Sequence, residues 1–335
     1  MKLDKLLVLL SATFLTACNG GGGGSSGGGS DNGGGGGGGG YTLGAQWTNQ
    51  IGSASGVVNT DNISYQPLSN TIYRLNQSNS TLCTISASAN SSTAWDCSSA
   101  MANFPSGYRI YAYNFVPDEN GNMLVIGKNN SNQYAILKYN GSTWTTTLLT
   151  GTATTNISFV KTFYNQGFVY GLTSTTVSSS TKQYNFVAFN ADTGAYSSNN
   201  NINSVYVGMN DPSSNSAVIR NNIFYVSNVS TITATSLANT SNITTYSGGT
   251  FASAIGVTNT TMYTCSPISG YTGTGINATL LSNTTGWENV GYTSYIDVSN
   301  YKVYEGCYSM YASENKVFVV GYTNSTSNPA AVFAQ

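Results

Sequence analysis

Histidine is absent from all 335 residues. That removes His-based triads, His general acid–base chemistry and His-ligated metals from the functions this chain could carry. Charge is scarce too: Asp, Glu, Lys and Arg together make up 7% of the sequence. Setting aside Lys2, Asp4 and Lys5 at the extreme N-terminus leaves 9 basic and 11 acidic residues. Without a basic stripe, no nucleic-acid partner is expected. Helical periodicity is missing throughout, so no helix is expected. The one apolar run outside the strand-like segments, Leu6 to Leu15, is too short to span a bilayer.

What is present begins with that run. Lys2 and Lys5, the apolar stretch and Leu15-Thr16-Ala17-Cys18 form a secretory signal over residues 1–17. Leu-Thr-Ala-Cys resembles the lipobox of bacterial lipoproteins, which implies cleavage before Cys18 and a diacylglycerol on its sulfur. Asn19 in place of Asp, by the same resemblance, implies the outer membrane, on either its periplasmic or its outer side. Gly20 to Gly40 holds sixteen glycines with three serines, Asp31 and Asn32. With no side chains to bury, residues 18–40 read as a lipidated Cys and a flexible tether of roughly 25 Å root-mean-square span. No strand precedes this tract and no helix with Lys or Asp follows it, so it is no phosphate loop and no cofactor is expected.

Residues 41–335 carry a ladder. Trp47, Trp95, Trp144, Tyr196, Tyr246 and Trp287 stand at intervals of 48, 49, 52, 50 and 41, and the chain ends 48 residues after the last rung. A second motif keeps step: Thr71 to Leu75, Asn122 to Ile126, Gly167 to Tyr170, Asn222 to Val226, Thr261 to Cys265 and Lys316 to Val320. Each is a short apolar run rich in β-branched and aromatic residues, the signature of a strand buried on both faces. A shorter strand precedes each run across a tight turn. A third follows it, as at Ala135 to Tyr139, Phe186 to Phe189 or Ala278 to Leu281, and the rung lies on a fourth. Four antiparallel strands per period of about 48 residues give an all-β, six-bladed β-propeller. The last period ends at its third strand, so the strand at Trp47 is expected to complete the last blade and close the ring.

The rung Trp, and Tyr139 before Trp144, resemble kelch-type propellers. The kelch double glycine is missing, with only Gly127 and Gly321 near its place, so the resemblance implies architecture and no ligand. Asp192 to Tyr196 and Gly141 to Trp144 each resemble half of the Asp-box turn of sialidases. The chain has three arginines, Arg74, Arg109 and Arg220, but the strand reading puts Arg109 and Arg220 on opposite faces of the disc, where no triad can form. Tyr304-Glu305 is then the one attractive nucleophile pair. Asp118, Asn120 and Asn122 have the alternate spacing of a calcium loop but lack its Gly and its bidentate Glu, so they read as a hairpin turn, and no metal site is expected. The frequent Asn-X-Ser/Thr triplets read as surface polarity.

Four cysteines remain after Cys18 and allow three pairings. Cys83 and Cys97 flank a turn within one blade, and Cys265 and Cys307 stand at the end of one blade's second strand and the start of the next blade's first, so these are the expected disulfides. Connections between blades look long, at Ala100 to Arg109, Asn199 to Asn215 and Gly291 to Gly306. The second-to-third-strand loops at Ser174 to Gln183 and Ser266 to Gly275 share their face. Binding residues concentrate on long loops of rigid scaffolds. The expected contacts are therefore Tyr108, Arg109, Asp211, Tyr271, Tyr295, Asp297, Tyr301 and Glu305. The sequence thus reads as a lipid-anchored binding or assembly module for a protein or glycan. The alternative is a glycan hydrolase or lyase on the same scaffold, which a deep axial pocket lined by several carboxylates or arginines would favour.

Overall fold

A computed structural model describes residues 46–335 except 59–60, 77–78, 113, 152–156, 209–215, 229–230, 248–253, 268–273, 299–300, 306 and 323–329. The apolar runs become the second strands of six blades: Thr71–Asn76, Met123–Asn129, Phe168–Ser178, Ile223–Ser227, Thr261–Pro267 and Val317–Tyr322. Met123 to Ile126 and Phe318 to Val320 are fully shielded from solvent, as expected of strands covered by sheets on both faces. The first strands, Asn62–Gln66, Val116–Pro117, Ser158–Asn165, Ala217–Arg220, Ala254–Val257 and Cys307–Ala312, touch one another in that order, and the last touches the first. This innermost circle makes the molecule a six-bladed β-propeller. Apolar clusters fill the spaces between neighbouring sheets.

Closure follows the sequence expectation. Gln50–Ile51 pairs antiparallel with Ala330–Ala334, Gln50 opposite Phe333 and Ile51 opposite Val332, and so supplies the outer strand of the sixth blade. The rungs do more than fill the core. Each of the four indoles donates a hydrogen bond to a carbonyl on the outer segment of the preceding blade: Trp95 to Ser53, Trp144 to Ala100 and Trp287 to Ser247 at 3.0 Å, and Trp47 to Val290 at 3.2 Å. A 48-residue period is what brings each tryptophan one blade on from its acceptor.

Several local expectations are corrected. Trp95 lies on no fourth strand; that edge of the first blade is a single bridge between Thr84 and Asp96. Tyr196 bridges Phe189, and the fourth strand of the third blade is Ile202–Gly208, inside a stretch expected to be loop. Ser174 to Gln183 is likewise no loop, because the strands Phe168–Ser178 and Thr181–Asn190 pair almost to their tip. Gly291 to Gly306 contains a hairpin, Ser294–Val298 with Tyr301–Glu305. A one-turn helix, Ser98–Met101, and a 3-10 turn, Ser198–Asn200, stand where no helix was expected. Both belong to connections outside the repeat.

The Asn-X-Ser/Thr triplets have a structural task. Asn90, Asn140, Asn190, Asn239 and Asn283 each open the turn before a rung or outer strand, and each side-chain oxygen accepts the backbone N–H two residues on at 3.0 to 3.2 Å. This Asx turn mimics a backbone turn and suits a tight third-to-fourth-strand connection. Four of the five lie in Asn-X-Ser/Thr triplets. Asp118 acts in the same way, accepting the N–H groups of Asn120 and Asn122 at 2.9 and 2.8 Å, so that segment is the expected hairpin turn. Gly127 and Gly321 also gain a reason: a Cβ at Gly127 would stand 3.0 Å from the Arg109 carbonyl, and one at Gly321 would stand 2.2 Å from the Thr293 hydroxyl. In both places residues of an inter-blade connection lie against a second strand too closely for a side chain.

Candidate binding site on the propeller axis

The six first strands enclose a cavity of about 360 Å³, within the size range of small-molecule pockets. Its walls run from the start of the first strands, at Asn62 and Asn114, past Lys161, Ile255 and Ser309, to the first-to-second-strand turns, at Glu119, Gln166 and Asn221. The cavity therefore reaches the face that carries these short turns. Its inner wall is stitched between blades. Asn114 exchanges hydrogen bonds with the Thr162 backbone, Ser64 donates to the Phe115 carbonyl, and the Ser309 hydroxyl accepts from the Ile63 N–H.

The mouth is bound by a closed circuit of polar contacts, one for each pair of neighbouring blades. Gln66 donates to the Gly121 carbonyl at 2.8 Å, the Tyr164 hydroxyl to Glu119, and Asn165 to Asn222 at 2.8 Å. Asn221 donates to Asn259 at 2.7 Å, the Asn259 N–H to Glu314 at 3.1 Å, and Lys316 to Asn70 at 3.2 Å. Arg220 also pairs with Glu314, across the width of the fifth blade. Positive φ at Gln166 and Gly167, and at Asn221 and Asn222, gives these two turns the tight mirror-image form that suits two-residue hairpins. Burial, with the Glu119 partnership, pushes the Tyr164 hydroxyl well above its ordinary value.

Every ionisable group at the mouth thus has a partner. Asp118 also lies 3.5 Å from Lys138, which bonds Asp192 at 2.9 Å. Lys161 differs. It lies deep on the wall, half-buried, and donates to the Ala217 carbonyl at 2.5 Å. Burial pulls its proton affinity down to about 7. Its side chain is part of the cavity wall.

The sequence-chosen residues lie elsewhere. Tyr108 and Arg109 sit on the strand Tyr108–Ile110, paired to Asn129 and Lys128, with Tyr108 half-buried and Arg109 exposed; neither lines the cavity. Asp211 and Tyr271 lie outside the described residues. Tyr295, Asp297, Tyr301 and Glu305 belong to the hairpin between the fifth and sixth blades, where Tyr295 is opposite Tyr304, Asp297 opposite Lys302, Tyr301 opposite Val298 and Glu305 opposite Ser294. The three arginines are separated as expected. Arg74 is sealed in an ion pair with Asp61 at 2.7 Å, Arg109 is exposed, and Arg220 is at the cavity mouth. Burial outweighs the Arg74 contact and raises the Asp61 carboxyl above its ordinary value.

Two disulfides are present, Cys83–Cys97 and Cys265–Cys307. Among the described residues no group of three or more Cys, Asp or Glu is placed to hold a metal ion. The cavity and Lys161 were missed in the sequence, although the signal existed: Ser158–Asn165 reads Ser-Phe-Val-Lys-Thr-Phe-Tyr-Asn, with a lysine inside an apolar first strand.

The sequence matches no protein-family model, and no curated protein resembles it significantly. Among solved structures the chain is similar to a protein of unknown function from Bacteroides thetaiotaomicron, at 13% identity and a TM-score of 0.51 over 86% of this chain and 75% of that one. This likeness is one of fold alone. Weaker matches are a luciferin-regenerating enzyme, at 9% identity and TM-score 0.49 over 84% and 92% of the two chains, and a putative TolB from Agrobacterium tumefaciens, at 8% identity and TM-score 0.47 over 82% and 89%.

Proposed function

We propose that this propeller is a lipid-anchored binding or assembly module at a bacterial outer membrane. Acyl chains on Cys18 would hold it to the membrane, and its ligand is a protein or glycan met on the face that carries the inter-blade connections. One observation carries this reading. The turns of the short-turn face spend their polar side chains on one another around the axial mouth, while the extra hairpins of the chain, at Ser294–Glu305 and at the tip of Phe168–Asn190, lie in the connections of the other face. A face elaborated beyond what closes the ring is the one available for recognition. The kelch-type likeness enters only as architecture. A glycan hydrolase or lyase would need free carboxylates at the axis, and Asp118 and Glu119 are engaged with neighbouring residues instead.

Two measurements test this reading. Replacing Cys18 with Ser should move the protein out of the membrane fraction, because a stable anchor needs its acyl chains; unchanged partitioning overturns the anchor. On a glycan array, and in pull-down from outer-membrane extracts, Tyr295→Ala and Tyr301→Ala should weaken capture while Asn120→Ala leaves it intact. The opposite pattern assigns recognition to the short-turn face.

A further inference from the structure

The axial cavity is separate from that recognition face, and its charge is unbalanced. Lys161 is the cation on its inner wall. An ammonium has three donors, and one of them is used by the Ala217 carbonyl. The other ionisable groups facing the cavity are Asp118, Glu119, Tyr164, Arg220 and Tyr311. Asp118 is held by its own turn and by Lys138, Glu119 by Tyr164, and Arg220 by Glu314. Lys161 also stands five residues from the turn residue Gln166, about 16 Å along a strand. At that depth the rim carboxylates cannot act as its counter-ion in a hydrogen-bonded pair.

We propose that the axial cavity is a binding site for a small monocarboxylate, entered from the short-turn face, whose carboxylate pairs with Lys161. A buried charge without a partner is costly, and the same charge with a hydrogen-bonded counter-ion is not. Amide, hydroxyl and apolar wall residues, Asn62, Ser309, Ile255 and Met310 among them, leave room for a body of modest size beside the charged group.

A carboxylate beside the amine favours its protonated form. Binding above neutral pH must therefore take up a proton from solution, which a passive polar pocket would not do. The test is calorimetric titration of the full chain at pH 8 with benzoate and glucuronate, against benzamide and glucose, in two buffers of different ionisation enthalpy. The expected result is carboxylate binding at least ten times tighter than the neutral analogue, with an uptake approaching one proton per ligand. Lys161→Met should abolish the preference, and Lys161→Arg should keep the preference but lose the proton uptake, because arginine stays charged. Equal affinity for acid and amide, binding without proton uptake in the unaltered protein, or an unchanged preference in Lys161→Met overturns the proposal. The unaltered protein alone decides the matter if either variant fails to fold. Tyr295→Ala should leave carboxylate binding unchanged, so failure here is distinct from failure on the recognition face.

Discussion

The two faces of the disc are held by different means. On the short-turn face six polar contacts, four of them made by an Asn or Gln side chain, link each turn to the next. Among the described residues, the other face has ties of a different kind, in and between the first, fifth and sixth blades: Cys265–Cys307, Cys83–Cys97 and the ion pair of Arg74 with Asp61. The difference follows from the connections. Short turns between first and second strands keep their side chains close to the ring, so a neighbour one blade away can be reached by a short side chain. Connections that vary in length offer no such register, and the strands beneath them must be fixed by bonds that do not depend on loop geometry.

Removing ties one by one should break or sharpen this contrast. Opening Cys265–Cys307 with Cys307→Ser frees a loop whose ends are 42 residues apart; on chain-entropy grounds the loss is about 4 kcal/mol, against about 3 for Cys83–Cys97. Urea unfolding of the two variants would show that order, and equal losses would remove loop length as the cause. Next comes Asp61→Ala, which leaves the Arg74 charge buried without its partner and should destabilise by about 3 kcal/mol. A change below about 1 kcal/mol would mean that water reaches the guanidinium. Trp144→Phe keeps the ring and removes the indole donor to Ala100, and a loss of about 1 to 2 kcal/mol is expected in thermal unfolding. The smallest effect belongs to the collar: Asn165→Ala should cost about 0.5 kcal/mol, since five links of the circuit remain. If a collar variant falls as far as the disulfide variant, the two faces are not held differently after all.

Architecture was legible in the sequence because it rests on large apolar residues that recur at a period set by blade size. The closing strand was legible for the same reason, since a rung stood without a blade. The turn asparagines share that period, at 90, 140, 190, 239 and 283, but were hidden by a background rich in Asn, Ser and Thr. Tyr196 misplaced the fourth strand of its blade because the pairing shifts register between Tyr184 and Phe186. The hairpin at Ser294–Glu305 lies outside the repeat, so its pattern had no second copy to support it. The collar was not legible at all, because each of its bonds joins residues of different blades whose closeness exists only once the ring has formed.

The closing strand also determines how the molecule would carry tension. A pull on the chain ahead of Gln46 first meets Gln46, bridged to Tyr292, and then Trp47, tied through its N–H to the Tyr292 carbonyl and through its indole to Val290, next to the outer strand of the fifth blade. Only then does the load reach Gln50–Ile51, clamped in the sixth blade. Force arriving through the residues ahead of Gln46 is therefore divided between two adjacent sheets and tends to prise them apart. Those two sheets are the pair that Cys265–Cys307 joins covalently, so the ring is riveted at the joint where it would otherwise tear.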